Sequence, residues 1–381
     1  MKRSGATILT THVGSLPGLA AFDPAAPDYE QRLRAAVQAV IERQRQTGID
    51  VLNEGEFTKG GDWLAYVDDR FSGFEARPPS GTPVIAQGRD REEFAEFYQY
   101  ATERGTLFYA AGSDMKTARR HWVCVGPIAY RGEAAVQREI RLLKENLRPG
   151  EEAFLTCTAP ASLEPYWRNE YYGSDEEFLF AFAEALRSEY EAVAASGLLL
   201  QVDDAWLPAL WDRIGMQMGL EAFRRRCRMR IDALNHALRN IPPERVRYHL
   251  CWGSWHGPHA YDIEMSHMVD LMLRVNAQAY LFEAANARHE HEHVLWDTVR
   301  LPEGKILVPG VVTHSTDVIE HPELVSQRIQ NFARRAGAAN VMAGADCGFG
   351  GRSHPQIAWA KLKSLAEGAA LASRALGLRG G

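Results

Sequence analysis

Short apolar runs alternate with amphipathic segments along most of the chain, and this alternation is what most constrains its fold. Each apolar run is strand-like, and each following segment has apolar residues at helical spacing. The pattern predicts strands at 7–13, 49–52, 153–157, 198–202, 246–251, 279–283, 306–315 and 340–345, and helices at 29–46, 175–195, 220–240, 262–275, 322–336 and 357–375. Repeated strand–helix units without a break in composition favour a (β/α)8 TIM barrel over an open sheet.

Two segments do not fit a simple repeat. The chain has one strand candidate too many, and we expect the run at 122–125 to lie outside the barrel. Residues 58–120 are rich in aromatics, Gly and Pro, with helical character near 92–104. We interpret them as an insertion after strand 2 that covers the barrel mouth, either as a local mini-core or as a lid. The prediction is therefore a single catalytic barrel domain over 1–381 with an insertion at 58–120.

Charged and reactive residues recur where the predicted strands end. They are Glu56, Asp203, His249, Cys251, Glu283, His314 and Cys347. The carboxyl ends of barrel strands are where TIM-barrel enzymes carry their chemistry. The pattern therefore predicts an active site at that end of the barrel.

Composition excludes several other classes of protein. The chain has 381 residues and a formal net charge of −6, with acids and bases mixed, which does not suggest a nucleic-acid partner or an anionic membrane surface. No apolar run reaches the length of a membrane span, and the N-terminus lacks a signal-peptide pattern. The five widely spaced cysteines do not predict a disulfide framework. We expect a cytoplasmic protein with free thiols.

The run 247–253 contains a His-x-Cys pair. On a strand, alternate residues face the same side, so His249 and Cys251 would project together. An imidazole and a thiolate are half of a zinc site, and Cys347 and Glu283 are the candidates for the other half. The alternative is a buried cysteine beside a structural histidine.

Five motifs in the same chain order resemble the C-terminal catalytic barrel of cobalamin-independent methionine synthase. They are Gly14-Ser15-Leu16-Pro17, Gly55-Glu56-Phe57, Gln201-Val202-Asp203-Asp204-Ala205, the His249 and Cys251 pair, and Asp346-Cys347-Gly348. The resemblance covers nearly the whole chain. It implies the barrel fold shared by methionine synthase and uroporphyrinogen decarboxylase, with Zn²⁺ on His249, Cys251, Glu283 and Cys347. It also implies that His314 is the proton-donating histidine.

Two features depart from that family pattern. The family's Glu-Pro is Asp204-Ala205 here, and the sequence has no counterpart of the N-terminal barrel that helps to hold folate in the larger synthases. The segment 251–255 is at least as similar to single-barrel relatives, which include archaeal-type methyltransferases and the epoxyalkane:coenzyme M transferase. The resemblance therefore defines zinc–thiol chemistry better than it defines the substrates.

The predicted site residues suggest a division of labour. Zinc would hold a substrate thiol as a thiolate, which attacks an electrophilic carbon while His314 protonates the leaving group. Glu56 and Asp203 are predicted to bind the ammonium group of homocysteine, Ser15 its other end, and His12 another part of the substrate. The alternatives are a structural role for His314, and loop capping or a salt bridge for the two carboxylates.

The leading interpretation is a zinc-dependent S-alkyltransferase that methylates homocysteine to methionine. Its partners are a small-molecule thiol and an alkyl donor (folate, methylcobalamin, an epoxide or a methyl-donor protein). One alternative is thiol addition to an epoxide, or the reverse C–S lyase reaction, with coenzyme M. Its sulfonate would need a cation such as Arg131, Arg168 or Arg352. An alternative of another class is a non-catalytic barrel with a structural zinc.

Overall fold

The computed structural model describes residues 1–18, 25–60, 63–78, 81–110 and 120–378. The strands are β1 (Val51–Leu52), β2 (Phe71–Ala76), β3 (Trp122–Tyr130), β4 (Glu152–Thr158), β5 (Trp167–Asn169), β6 (Leu199–Asp204), β7 (Val246–Leu250), β8 (Ala279–Phe282), β9 (Ile306–Val312) and β10 (Gly344–Ala345). The helices are α1 (Tyr29–Thr47), α2 (Arg89–Glu93), α3 (Ala95–Arg104), α4 (Glu133–Lys144), α5 (Asp175–Ala195), α6 (Met216–Met218), α7 (Leu220–Leu238), α8 (Val269–Met272), α9 (Pro322–Ala336) and α10 (Pro355–Ala375). No helix in these ranges is long and apolar enough to cross a membrane.

A parallel sheet in the order β1-β4-β6-β7-β8-β9-β10 forms the barrel wall. The chain near Thr10 joins its two ends. Thr11 N donates to Ala343 O at 2.9 Å, and Val51 N donates to Thr10 O at 3.1 Å. The predicted first strand is thus present as a single parallel bridge from Thr10 to Ala343 rather than a regular strand over 7–13. With this segment the barrel has eight staves, and the predicted (β/α)8 fold is confirmed.

The strands are buried on both faces, as their continuous apolar runs require. An inner cluster fills the barrel, and a larger outer cluster fills the space between strands and helices. Phe154, Leu281 and Val308 belong to the inner cluster. Rigid, short strands buried on both faces fix the positions of the side chains at their ends.

A small second sheet lies outside the barrel. It has the order β2-β3-β5, with β2 antiparallel to β3 and β3 parallel to β5. The run at 122–125 is part of β3, so its predicted place outside the barrel is correct. Aromatic rings pack on this sheet, among them Phe74 and Trp167 with ring centroids 4.1 Å apart. The sheet reaches beyond residue 120, and the boundaries 58–120 remain a prediction.

The sequence prediction of a helix at 262–275 is wrong. This segment forms a 3-10 turn at Met265–His267 and then the short helix α8. Met265 N donates to a Glu292 carboxylate at 2.6 Å, and Asp262 pairs with His259 at 2.8 Å. These tertiary contacts hold the start of the segment outside a helix, so its apolar residues are buried without a long helix.

A network of buried ion pairs attaches the small sheet to the barrel, and we call it the closed network. Lys59 Nζ lies 3.1 Å from Glu139 Oε2, and Arg70 Nη1 lies 2.7 Å from Glu189 Oε2. Arg70 also pairs with Glu139, and Tyr130 donates to Glu189 at 2.7 Å. Burial opposes ionisation of Glu189, but Arg70 and Lys59 hold the pKa of this carboxyl below its usual range. Each carboxylate in the closed network has a cationic partner.

Candidate metal centre and substrate cavity

Three metal-ligating side chains meet at the carboxyl end of the barrel. His249 is on β7, Cys251 follows β7, and Cys347 follows β10. One ligand atom from each lies within 4.8 Å of the other two, and all three residues are buried. In a tetrahedral zinc shell with Zn–S near ~2.3 Å and Zn–N near ~2.0 Å, ligand atoms are roughly 3.5–4 Å apart. The set therefore fits a zinc ion with small adjustments.

The orientation of His249 also fits a metal ligand. Its Nδ1 lies 3.0 Å from Asp203 Oδ1, while its Nε2 is buried and has no hydrogen-bond partner among the described residues. A carboxylate on the other ring nitrogen fixes the tautomer and the ring plane of a ligating histidine. Asp203 and His249 are partners in the register of β6 and β7, which brings the carboxylate beside the ring. Asp203 is thus a positioning residue for His249, a role that the sequence interpretation missed.

The two thiols have different surroundings. Arg352 Nη1 donates to Cys347 Sγ at 2.6 Å. A hydrogen bond from Cys251 and the charge of Arg352 hold the pKa of Cys347 well below its usual range. Cys251 Sγ lies 2.9 Å from Ser254 Oγ and accepts from Gly253 N at 3.3 Å. The surroundings of Cys347 therefore favour its thiolate form.

Glu283 lies beside this centre but outside the group of three. Its Oε1 is 3.8 Å from Cys251 Sγ and accepts from Trp252 N at 3.0 Å. Its Oε2 accepts from Asn286 Nδ2 at 2.9 Å. A fourth ligand at Glu283 stays a prediction, because binding would require this carboxylate to exchange hydrogen bonds for the metal.

Asp346 fixes the loop that carries Cys347. Its Oδ1 accepts from Ala284 N at 2.8 Å and Ala285 N at 2.9 Å, so it joins the end of β10 to the end of β8. A side chain at Gly310 would come within 2.0 Å of Asp346 Oδ1, so this position has to be glycine. Asp346 thereby sets the relative positions of Cys347 and Glu283.

A cavity of about 200 Å³ opens above the three ligands. Ser15, Glu56, Asp203 and Arg352 contribute its polar lining. Its other walls are apolar and aromatic, and they consist of Val13, Trp63, Ile85, Phe108, Tyr109, Tyr166, Ala205 and Trp206 together with glycines. Trp63, Ile85, Phe108 and Tyr109 come from the segment predicted to cover the barrel mouth. The cavity is large enough for a small amino-acid-sized substrate.

Glu56 is held in the cavity wall in a strained backbone conformation, with φ of 61°. Its Oε2 is buried and has no hydrogen-bond partner among the described residues. Burial raises the pKa of Glu56 well above its usual range, and the nearby Asp203 and Glu54 carboxylates add to this effect. A Cβ at Gly14 would meet Glu56 Oε1 at 2.6 Å, so the glycine makes room for the carboxylate. Strain, burial and an unsatisfied oxygen together indicate a binding role.

Ser15 lies against the loop that follows Cys347. Its carbonyl accepts from Phe349 N at 2.8 Å and from Gly350 N at 3.2 Å. A Cβ at Gly350 would come within 2.1 Å of Ser15 Oγ, so the two loops approach too closely for a larger residue. Ser15, Cys347 and Arg352 therefore belong to one wall of the cavity.

His314 is buried, and neither of its ring nitrogens has a partner among the described residues. Burial lowers its pKa to about 3, although the nearby Cys347 opposes this effect. Its ring stacks on His256 with centroids 6.1 Å apart. The lowered pKa favours the neutral imidazole, so the role of His314 as proton donor stays a prediction.

The structure does not bring His12 to the cavity, and its predicted contact with substrate is not supported. His12 Nε2 lies 2.9 Å from Gln44 Oε1, and its Nδ1 accepts from Gly14 N at 3.2 Å. Burial lowers the pKa of His12 to about 4. With both nitrogens in use, this histidine shapes the Gly14 loop rather than a substrate site.

The three arginines considered as binding sites for a sulfonate lie in different environments. Arg131 and Arg168 are exposed, and Arg168 pairs with Glu170. Arg352 alone of the three lines the cavity. The sequence did not predict that Arg352 points into the cavity. The segment from Gly348 to Gly351 has no regular structure, so the spacing of five residues from Cys347 does not indicate the direction of the side chain.

Fold and site together describe a (β/α)8 barrel enzyme with a buried histidine–thiolate centre at its catalytic end. No family model matches the chain. In sequence it is similar to the methionine synthase of Thermococcus kodakarensis, with 21% identity over 356 residues, covering 93% of this chain and 87% of the relative. The methionine synthase of Saccharolobus solfataricus is 22% identical over 90% of this chain and 84% of its own length.

A solved structure shows the same fold. The B12-independent methionine synthase from Shewanella sp. W3-18-1, in complex with selenomethionine, superposes with a TM-score of 0.73 at 17% identity and covers 97% of this chain and 99% of that one. The resemblance to cobalamin-independent methionine synthases, first drawn from five motifs, is confirmed by these comparisons.

Proposed function

We propose that this enzyme transfers a methyl group to the thiol of homocysteine and so forms methionine, with zinc as its resident metal. The observation that carries the proposal is one cavity that combines His249, Cys251 and Cys347 with the unpaired carboxylate of Glu56. The first group binds a soft metal and therefore a thiol, and the second binds a cation. The names of the sequence relatives support the same reaction.

Each residue of the site would have a separate role in the reaction. His249, Cys251 and Cys347 would hold zinc, which when bound lowers the pKa of a coordinated thiol so that the thiol is a thiolate at neutral pH. Asp203 keeps the His249 ring in its ligating orientation through the 3.0 Å contact. Glu56 would pair with the substrate ammonium, and His314 would give a proton to the departing group of the methyl donor. The aromatic walls exclude water from the reacting carbon.

The charges that line the cavity favour homocysteine over coenzyme M. Glu56 and Asp203 place carboxylates in a cavity that already holds two cysteine sulfurs. Burying such charges is costly unless a cation pairs with them. Homocysteine brings an ammonium group, whereas coenzyme M brings a sulfonate, for which Arg352 is the one Arg or Lys among the described residues that line the cavity.

The alkyl donor is the second substrate. We propose that it packs against Trp63, Phe108 and Tyr166, since these aromatic rings line the cavity. The alternative reaction, thiol addition to an epoxide, uses the same thiolate, and Arg352 in the cavity is the observation in its favour.

The test is calorimetric titration of the zinc-loaded enzyme with homocysteine and with coenzyme M, beside a zinc-edge absorption spectrum. We expect homocysteine to bind more tightly and to add a sulfur ligand to the metal. Glu56→Gln should weaken homocysteine binding roughly 10-fold or more, since a buried charge pair loses one partner. Tighter binding of coenzyme M by the wild type would decide for the epoxide reaction.

A further inference from the structure

Arg352 is a cationic group that the proposed reaction does not yet use. It is the only Arg or Lys among the described residues that line the cavity. Its Nη1 donates to Cys347 Sγ at 2.6 Å. The other side-chain N–H groups of Arg352 have no protein partner in the described part of the chain. A guanidinium has five donors in a planar fork, so most of its capacity faces the cavity.

The charges of the cavity have a definite arrangement. Glu56 and Asp203 supply negative charge, with Glu56 Oε2 unpaired. Arg352 supplies positive charge on the wall that it shares with Ser15 and Cys347. A ligand that satisfies both walls must carry an ammonium and an anionic group beside its thiol.

We propose that Arg352 binds the carboxylate of the substrate thiol, so that the substrate is recognised as a zwitterion. This inference rests on the proposed function and names how its substrate is chosen. The sulfur would occupy the metal, the ammonium would pair with Glu56, and the carboxylate would accept hydrogen bonds from the guanidinium N–H groups that Cys347 does not use. Arg352 touches a metal ligand, and in homocysteine a short carbon chain links sulfur to carboxylate, so the two groups can reach their partners together.

The chemistry of arginine suits this task. Its planar fork matches a carboxylate and stays charged at any physiological pH. Ser15, against the loop that leads to Arg352, can add its backbone to the same end of the substrate. The two walls would then select thiols that carry both an ammonium and a carboxylate group, since neither group alone would give tight binding.

Four thiols of similar chain length separate carboxylate recognition from any effect on the sulfur. Homocysteine carries both charges, 4-mercaptobutanoate carries only the carboxylate, 3-aminopropanethiol carries only the ammonium, and propanethiol carries neither. Each is titrated calorimetrically into zinc-loaded wild type, Arg352→Gln, Arg352→Lys and Glu56→Gln. Zinc content is measured for every sample, and affinities are reported for the metal-loaded fraction.

We expect Arg352→Gln to weaken homocysteine and 4-mercaptobutanoate roughly 10- to 100-fold, since each loses hydrogen bonds between charged groups. The two thiols without a carboxylate should change by no more than about twofold, a difference smaller than one hydrogen bond contributes. Arg352→Lys keeps the charge but loses the fork, and should give an intermediate loss. Glu56→Gln should instead weaken binding of homocysteine and 3-aminopropanethiol, the two thiols that carry an ammonium, and leave the other two nearly unchanged.

Two results would overturn the inference while leaving the proposed function intact. One is an equal loss for all four thiols in Arg352→Gln, which would assign Arg352 to the sulfur of Cys347 alone. The other is unchanged homocysteine binding. A wild type that binds no thiol would instead refute the proposed function, and the inference with it.

Discussion

Two groups of buried charged side chains meet at Glu54, and they differ in how far their atoms are paired. In the closed network, Glu139 and Glu189 each contact a cation within 3.1 Å. On the other side lie Glu56, His249 and His314, which we call the open cluster, where four buried polar atoms have no partner among the described residues. Glu54 links the groups by accepting from Glu56 N and from Thr58 Oγ1.

This difference separates structural from functional burial. A buried polar atom without a partner costs free energy, so folds retain few of them. The charged side chains of the closed network pair with one another and so attach α4 and α5 to the small sheet. The open cluster keeps donors and acceptors available, and a metal, an ammonium group and a proton would satisfy them. Mutations in the closed network should therefore lower stability, whereas mutations in the open cluster should lower metal binding, substrate binding or turnover.

The largest expected effect concerns the ligands that the open cluster surrounds. Cys251→Ser and Cys347→Ser should reduce bound zinc from a full equivalent to almost none, since a serine hydroxyl is a poor ligand beside the remaining soft donors. Elemental analysis of the purified variants measures this directly. Cys227→Ser is a matched control, since Cys227 is also buried but lies on α7. Full zinc retention in both ligand variants would remove the metal centre from the proposal.

The next effect tests whether the unpaired nitrogens of His314 serve catalysis. His314→Gln should lower kcat roughly 10²- to 10⁴-fold while zinc content and homocysteine affinity stay near wild type. Steady-state kinetics and calorimetry on the same preparation separate the two quantities. Unchanged turnover would make His314 a structural residue despite its missing partners.

A third prediction compares the same substitution in the two groups. Glu189→Gln should destabilise the protein by about 3–5 kcal/mol, since it removes one of the two carboxylates that pair with the buried Arg70. Glu56→Gln should leave stability unchanged or raise it, since the wild-type carboxylate has an unpaired oxygen and like-charged neighbours. Chemical denaturation of the metal-free proteins gives both values. Equal destabilisation by the two variants would contradict the distinction between closed and open groups.

The smallest effect is a pH dependence of stability. The pKa of Glu56 is raised in the native state, so above the ordinary glutamate pKa of ~4.3 the native state binds more protons than the unfolded state. The stability from this group is therefore full below that pH and is lost as pH rises, by at most about 1.4 kcal/mol per pH unit. Denaturation midpoints of metal-free Glu56→Gln should rise relative to wild type between pH 5 and pH 8. A constant difference over this range would show that Glu56 ionises normally.

Sequence patterns located the strand ends well because the barrel itself places them. Periodicity and capping predicted α5 and α9 with their observed limits. The same reasoning placed His249, Cys251, Cys347 and Glu56 around one cavity. These successes share a cause, since a buried parallel strand fixes the direction of the residues at its end.

The misses involve contacts that no local pattern encodes. The pairing of β2 with β3 and β5 joins segments far apart in sequence. The contact of Asp203 with His249 was not predicted, because it depends on the register between β6 and β7, while the predicted role of Asp203 in substrate binding stays a prediction. Arg352 reaches Cys347 through a glycine-rich loop whose path only the tertiary structure defines. The contact between His12 and Gln44 of α1 was not predicted for the same reason, since no local pattern encodes it.

Closure of the barrel through Thr10 and Ala343 affects the order in which the chain acquires its function during synthesis. Ser15 meets Phe349 and Gly350 only after the last unit has docked on the first. A nascent chain that has released seven units still lacks Cys347, one wall of the cavity and the β10 edge with which the segment near Thr10 pairs. In zinc fingers the metal drives folding from the start. Here metal uptake would instead be a late event and would report that the first and last units of the barrel have paired.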